Sequence, residues 1–186
     1  MSIVQYTQKC ATQDPASFED AWDFLGSLSL SAAAATLGPL QIPPREQLKI
    51  VVRVNGLSSA EIPALRFNAD ATAANYATRW ISISTASTPA ITQTNTTGSA
   101  QILLRNVASS FALSAIADLM NPAAVRKVIQ IGNAAEIQTA GAVPSLELGW
   151  GIWHNTANYI TQVQLRTNVG GTLNSGSGFW IWGKNF

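Results

Sequence analysis

Apolar residues recur at every second position along most of this chain, and that period leaves little but β-sheet open to it. Leu48, Ile50, Val52 and Val54 fall on one side of a segment whose other side holds Lys49, Val51, Arg53 and Asn55. Ile102 and Leu104 alternate with Gln101, Leu103 and Arg105, and Val163 and Leu165 with Gln162, Gln164 and Arg166. Leu146, Leu148, Trp150 and Ile152 form one face of a further segment, opposed by Glu147, Gly149 and Gly151, and their apolarity assigns that face to the core. Strands are also expected at Gly26–Leu30, Leu37–Ile42, Thr78–Thr85, Phe111–Leu119, Val125–Ile131 and Gly178–Gly183. Turn signals separate them: Asn55-Gly56, Thr97-Gly98-Ser99, Asn121-Pro122, Gly132-Asn133 and Gly170-Gly171. Many short strands so spaced predict an all-β fold, an antiparallel sandwich or jelly roll. No repeat at solenoid or propeller spacing is present.

The N-terminal region departs from this pattern. Residues 1–20 read as an extended arm ahead of a β-sandwich domain over 21–186. Asp14 can N-cap a short helix with Pro15 in its first position and Phe18, Trp22 and Leu25 on one face. The alternative is that strand begins near Ala21, and the sequence leaves both open.

Composition narrows the function. Only 11% of the 186 residues are charged, against about 25% in an average protein. A chain so poor in charge either is a neutral Thr-rich β-protein or hides much of its surface in an assembly. Net charge is +1 and the basic residues are scattered singly apart from Arg126-Lys127, which argues against nucleic acid as a partner. No segment has the apolar length of a membrane helix. Met1–Tyr6 lacks the basic patch and hydrophobic run of a secretory signal. Cys10 is the only cysteine, so no internal disulfide forms, and synthesis in a cytosol is expected.

Catalytic chemistry is nearly missing. His154 is the only histidine and reads as a loop residue at a strand end, short of the several ligands a metal-binding sandwich needs. No Gly-x-Ser-x-Gly elbow or phosphate-binding loop occurs. The ten acidic residues show no spacing that singles out a glycosidase pair. Asn68, Asp70 and Thr72 open like a calcium loop, but Ala74 stands where a ligand should, and no glycine or closing acid follows. These side chains are expected to cap loop backbone, with Phe67 and Tyr76 anchoring the loop ends in the core. No cofactor or metal is expected, and no enzyme.

Trp150, Trp153, Tyr159, Trp180 and Trp182 form an aromatic set. Exposed rings stack on sugars, but Trp150 shares a period with the expected core face. Trp180 and Trp182 lie on one side of the last strand and Phe179 and Ile181 on the other. A strand apolar on both sides must bury both, so Trp180 and Trp182 are candidates for a subunit interface.

The stretch Arg66-Phe67-Asn68-Ala69-Asp70, continued to Asn75-Tyr76, resembles a loop of jelly-roll virion structural proteins of tailed bacteriophages. The ending Ser175-Gly176-Ser177-Gly178-Phe179-Trp180-Ile181-Trp182-Gly183 is similar to that family's closing strand. The likeness spans roughly Leu48 to Gly183; its loop motif falls on Arg66, Phe67, Asn68, Asp70, Asn75 and Tyr76, with Ala69 where relatives often carry glycine. It implies a non-enzymatic virion protein, made in the host bacterial cytoplasm, that decorates and cements the assembled head. Partners would be the major capsid protein and other copies of the chain, as a trimer. Ile3, Val4 and Tyr6 would be capsid contacts on an arm lashed across a neighbour. The alternative it implies is a tail or fibre component, a carbohydrate-binding sandwich that recognises the host surface, with Thr85–Ser99 as a binding edge.

Overall fold

The computed structural model describes residues 3–6, 22–83, 91–105, 111–135 and 145–185. In chain order their strands are β1 (Ile3–Tyr6), β2 (Asp23–Leu30), β3 (Thr36–Gln41), β4 (Gln47–Val54), β5 (Pro63–Phe67), β6 (Tyr76–Ile83) and β7 (Ile91–Thr97). There follow β8 (Ile102–Leu103), β9 (Leu113–Met120), β10 (Lys127–Ala135), β11 (Ser145–Trp153), β12 (Gln162–Thr167) and β13 (Gly178–Lys184). A single 3₁₀ turn, Ala73–Asn75, precedes β6.

Two antiparallel sheets result, one of nine strands in the order β1-β2-β13-β4-β9-β10-β11-β6-β7 and one of four in the order β3-β12-β5-β8. The chain is an all-β sandwich, as its period required. Within it, β2-β13-β4-β9 and β3-β12-β5-β8 run in matching order, so the chain neighbour of each strand holds the corresponding place in the other sheet. The pairs β6–β7 and β10–β11 leave this scheme and widen the large sheet on one side.

Alternation builds the core between the sheets. Leu48, Ile50, Val52 and Val54 of β4 and Leu113, Ala115, Ala117 and Leu119 of β9 point inward and are buried. They belong to one cluster with Leu37 and Leu40 of β3, Leu65 of β5 and Val163 and Leu165 of β12. Phe179 and Ile181 close it from β13.

One expectation for the N-terminal region needs correcting. Ile3–Tyr6 is not free of the domain: it pairs along β2, Ile3 opposite Leu30 and Tyr6 opposite Ser27, as the edge of the large sheet. A short β-forming segment there satisfies the N–H and C=O groups that β2 would otherwise leave at an open edge. Of the two readings left open after Asp14, strand from near Ala21 fits the described residues, with Leu25 in β2. The rest of the arm with Cys10, and the helix start at Asp14 and Pro15, fall outside the described residues.

The core face expected on β11 is also reversed. Glu147, Gly149, Gly151 and Trp153 point inward; Leu146, Leu148 and Trp150 are exposed and Ile152 is half-buried. Gly149 stands opposite Trp80 of β6 in the ladder. A Cβ on Gly149 would meet ring carbons of Trp80 at 2.5 Å, and one on Gly151 would meet Ile102 Cδ1 at 2.9 Å. The inner volume over β11 is thus filled by its neighbours, and the glycines make room for them. Periodicity fixes that residues alternate but not which set faces in.

Candidate interaction face and its bracing loop

The loop from Arg66 to Tyr76 joins β5 to β6. Asp70 N–H donates to Phe67 C=O at 2.9 Å, closing a turn whose central residues Asn68 (φ 48) and Ala69 (φ 54) are both left-handed. Asn68 then bridges to the connection between β11 and β12. Its Nδ2 donates to Tyr159 C=O at 2.8 Å, and its Oδ1 accepts Thr161 N–H at 2.9 Å and Gln162 N–H at 3.0 Å. Asp70 Oδ1 accepts Thr72 N–H at 2.9 Å, and Oδ2 accepts Asn75 Nδ2 and Trp153 Nε1, each at 2.8 Å. Burial works against the charge of Asp70, but these donors outweigh it and hold the carboxyl below its ordinary range.

Phe67 and Tyr76 are buried at the two ends of the loop, with ring centroids 5.8 and 6.4 Å from that of Trp153. The Tyr76 hydroxyl donates to Asp70 C=O at 3.1 Å. Arg66 faces away from the core, where its Nε donates to Ala100 C=O at 3.1 Å. The motif therefore ties three connections together around one indole. The side-chain oxygens of Asn68 and Asp70 accept from protein donors. Among the described residues no group of three His, Cys, Asp or Glu could hold a metal ion.

Lys127 was not singled out by sequence reasoning. It is fully buried beside this loop, where Nζ donates to Val125 C=O at 2.9 Å and Asn155 C=O at 3.0 Å and lies 5.9 Å from the centre of the Trp153 ring. Burial pushes its pKa down. The available signal was its phase, since Lys127 alternates in step with Ile129 and Ile131. Glu61, also unremarked from sequence, accepts N–H groups of Val169, Gly170 and Gly171 at 3.0 Å each and pins the turn after β12. His154 is exposed in a loop, its N–H donating to Asn75 C=O at 2.8 Å.

The outer face of the large sheet is the surface that stands out. Register places Trp180, Val51, Ile116, Gly132, Leu148 and Ile81 side by side across six strands as one apolar row. Leu146 and Ile83 form a second apolar pair beside it. On the other side runs a mixed row: Trp182, Lys49, Asp118, Gln130, Trp150 and Arg79. Trp180 and Trp182 are half-buried, Trp182 against Phe24 at 5.4 Å between ring centroids. The small sheet is different, its outer side carrying Gln162, Gln164, Arg166 and Arg66.

Of the residues proposed for contacts, Trp180 and Trp182 lie on this face, and β1, with Ile3, Val4 and Tyr6, is the strand at its edge. The loop motif is elsewhere, under the inner side of Trp153. Sequence reasoning assigned Leu146, Leu148 and Trp150 to the core and gave Ile116 only as part of the strand Phe111–Leu119. Of the expected binding edge Thr85–Ser99, the first part lies outside the described residues, and Ile91–Thr97 is β7 at the opposite edge of the sheet. Comparison with protein-family models, with curated proteins and with solved structures finds no match to this chain.

Proposed function

We propose that this chain is a virion structural protein, a decoration or cement protein of a tailed phage head, that acts by binding and not by turnover. The carrying observation is the apolar row across the outer face of the large sheet, with Ile116, Leu146 and Leu148 exposed to solvent. Contiguous apolar surface of this kind marks an interaction site. Nine strands at a spacing of ~4.8 Å make a sheet roughly 40 Å wide, large enough for an interface of about 800 Å² per partner. The matching strand order of the two sheets supports the jelly-roll reading, since a jelly roll is an antiparallel ribbon folded across two sheets.

In this reading the apolar row from Val51 to Ile81 packs on the major capsid protein at joints of the assembled shell, and copies of the chain associate as a trimer through Trp180 and Trp182 at its β13 end. A protein that binds the assembled shell better than its free subunits stabilises the shell by mass action. Many symmetric copies add avidity to modest single contacts.

The test is to incubate purified protein with undecorated phage heads and measure occupancy by cryo-electron microscopy, alongside light scattering of the free protein. Heads decorated by the native chain and left bare by Leu148→Lys, with a free species larger than one 19.7 kDa chain, are the expected result. A monomer that leaves heads bare overturns the reading.

A further inference from the structure

Beyond docking on a shell, the mixed row of the outer face carries a second kind of site. Trp150, Gln130, Asp118 and Lys49 lie side by side on four adjacent strands, a line of ~14 Å at the usual strand spacing. They line an open groove of about 520 Å³, with Trp22 at its far end and Met120 and Val128 along one side. Trp150 is 39% exposed, and the Trp22 ring lies 5.1 Å from Lys49 Nζ. Lys49 Nζ is 3.6 Å from Asp118 Oδ1, so the floor is polar but nearly neutral.

We infer that this groove binds a neutral oligosaccharide. The chemistry of the floor selects among ligand classes. A purely apolar occupant would cover Gln130, Lys49 and Asp118 without replacing their water hydrogen bonds, which is costly. A strongly anionic ligand would meet the Asp118 carboxylate. Pyranose rings offer both halves of the match: C–H faces that pack on an exposed indole, and hydroxyls that both donate to Asp118 and accept from Lys49 and the Gln130 amide. Polar groups set among aromatic and aliphatic side chains are what orientation-specific ligand sites have. The length of the row suits a short run of sugar rings lying across the strands.

The groove is lined by the mixed row and by Met120 and Val128 beyond it, so it borders the apolar row proposed for docking, and the variants below tell the two readings apart. The native chain is titrated with cellohexaose, maltohexaose, xylohexaose and chitohexaose by calorimetry and saturation-transfer NMR. At least one is expected to bind with a Kd on the order of 0.1–1 mM, ordinary for a single weak site. Trp150→Ala should weaken that binding at least ten-fold and Gln130→Ala several-fold, with circular dichroism unchanged. Val169→Ala, at a loop side chain 85% exposed and away from the sheet, should bind as the native chain does. If none of the four sugars binds at millimolar concentration, or if Trp150→Ala binds as well as the native chain, the inference fails. Loss of head attachment in Trp150→Ala without any sugar binding would give the groove to the protein interface instead.

Discussion

The Trp153 indole N–H donates to Asp70 Oδ2 at 2.8 Å, joining the loop after β5 to the end of β11. Asp70 is also the acceptor for Asn75 and Thr72, so one carboxylate organises a whole turn. Replacing it by Asn removes the charge that strengthens all three bonds. Asp70→Asn is expected to cost about 1.5–3 kcal/mol, the range for hydrogen bonds to charged groups, read as a shift in the midpoint of urea unfolding.

The same carboxylate predicts an acid response. Asp70 is held below its ordinary value of 3.8, and Glu61 below 4.5. For both, burial opposes ionisation and the hydrogen-bond donors around them prevail. A depressed carboxyl pKa contributes stability that is present above the ordinary value and lost as pH falls through the lower folded one. Thermal midpoints should therefore hold down to about pH 4.5 and fall below it. The fall should be shallower in Asp70→Asn, which lacks one of the titrating groups; an equally steep fall would mean that other carboxylates govern acid unfolding.

Ala69 adopts φ 54 in the turn that Asp70 closes, where a side chain is disfavoured. The left-handed region costs roughly 1–2 kcal/mol for a residue with a Cβ, while glycine loses about 0.5–1 kcal/mol more in backbone entropy on folding. The balance favours Ala69→Gly, which should raise stability by about 0.5–1 kcal/mol. A variant less stable than the native chain would show that the turn does not hold this geometry in solution.

Strand β1 changes what truncation should do. Ile3–Tyr6 covers the edge of β2, so deleting Met1–Tyr6 removes ladder hydrogen bonds and opens that edge. The core cluster is built by residues of β2–β6, β8–β10, β12 and β13 together with Trp153 of β11, and the domain should still fold. Its melting temperature should drop by a few degrees, since 1 kcal/mol is worth about 2–4 °C in a domain of this size. The open edge should also make the variant self-associate more readily at high concentration. An unchanged melting temperature would return these residues to the status of a free arm.

What the sequence made legible was set by local rules, and what it hid was set by neighbours. Leu48 to Val54 could be phased because its two sides differ in charge, Lys49 and Arg53 against four aliphatics. The turn at Asn121-Pro122 was legible too; Asn121 there bonds Arg45 C=O and Ile160 C=O through Nδ2. In β11 both sides lack a solvent marker except Glu147, which points inward. Its phase depends on Trp80 and Ile102, far away in the chain. The candidate face shares that difficulty, since Trp180, Val51, Ile116 and Leu148 meet only through the register of separate strands. The loop motif was legible in its residues, but its partner Trp153 was not.

That reversal of β11 can be tested with two adjacent residues. Gly149 faces in against Trp80, which is fully buried and has no room to retreat. Gly149→Ala places a methyl where ring carbons already lie, and overpacking of this kind costs about 1–3 kcal/mol. Leu148 faces out and is 41% exposed, so Leu148→Ala should change the stability of the isolated chain by no more than about 0.5 kcal/mol, as surface substitutions do. Were Leu148 a core residue, as its sequence pattern suggests, the same truncation would cost about 2–5 kcal/mol. Urea unfolding of the two variants side by side separates the cases. A tolerated Gly149→Ala with a crippled Leu148→Ala would turn the strand over, and with it the outer face on which both proposed binding sites rest.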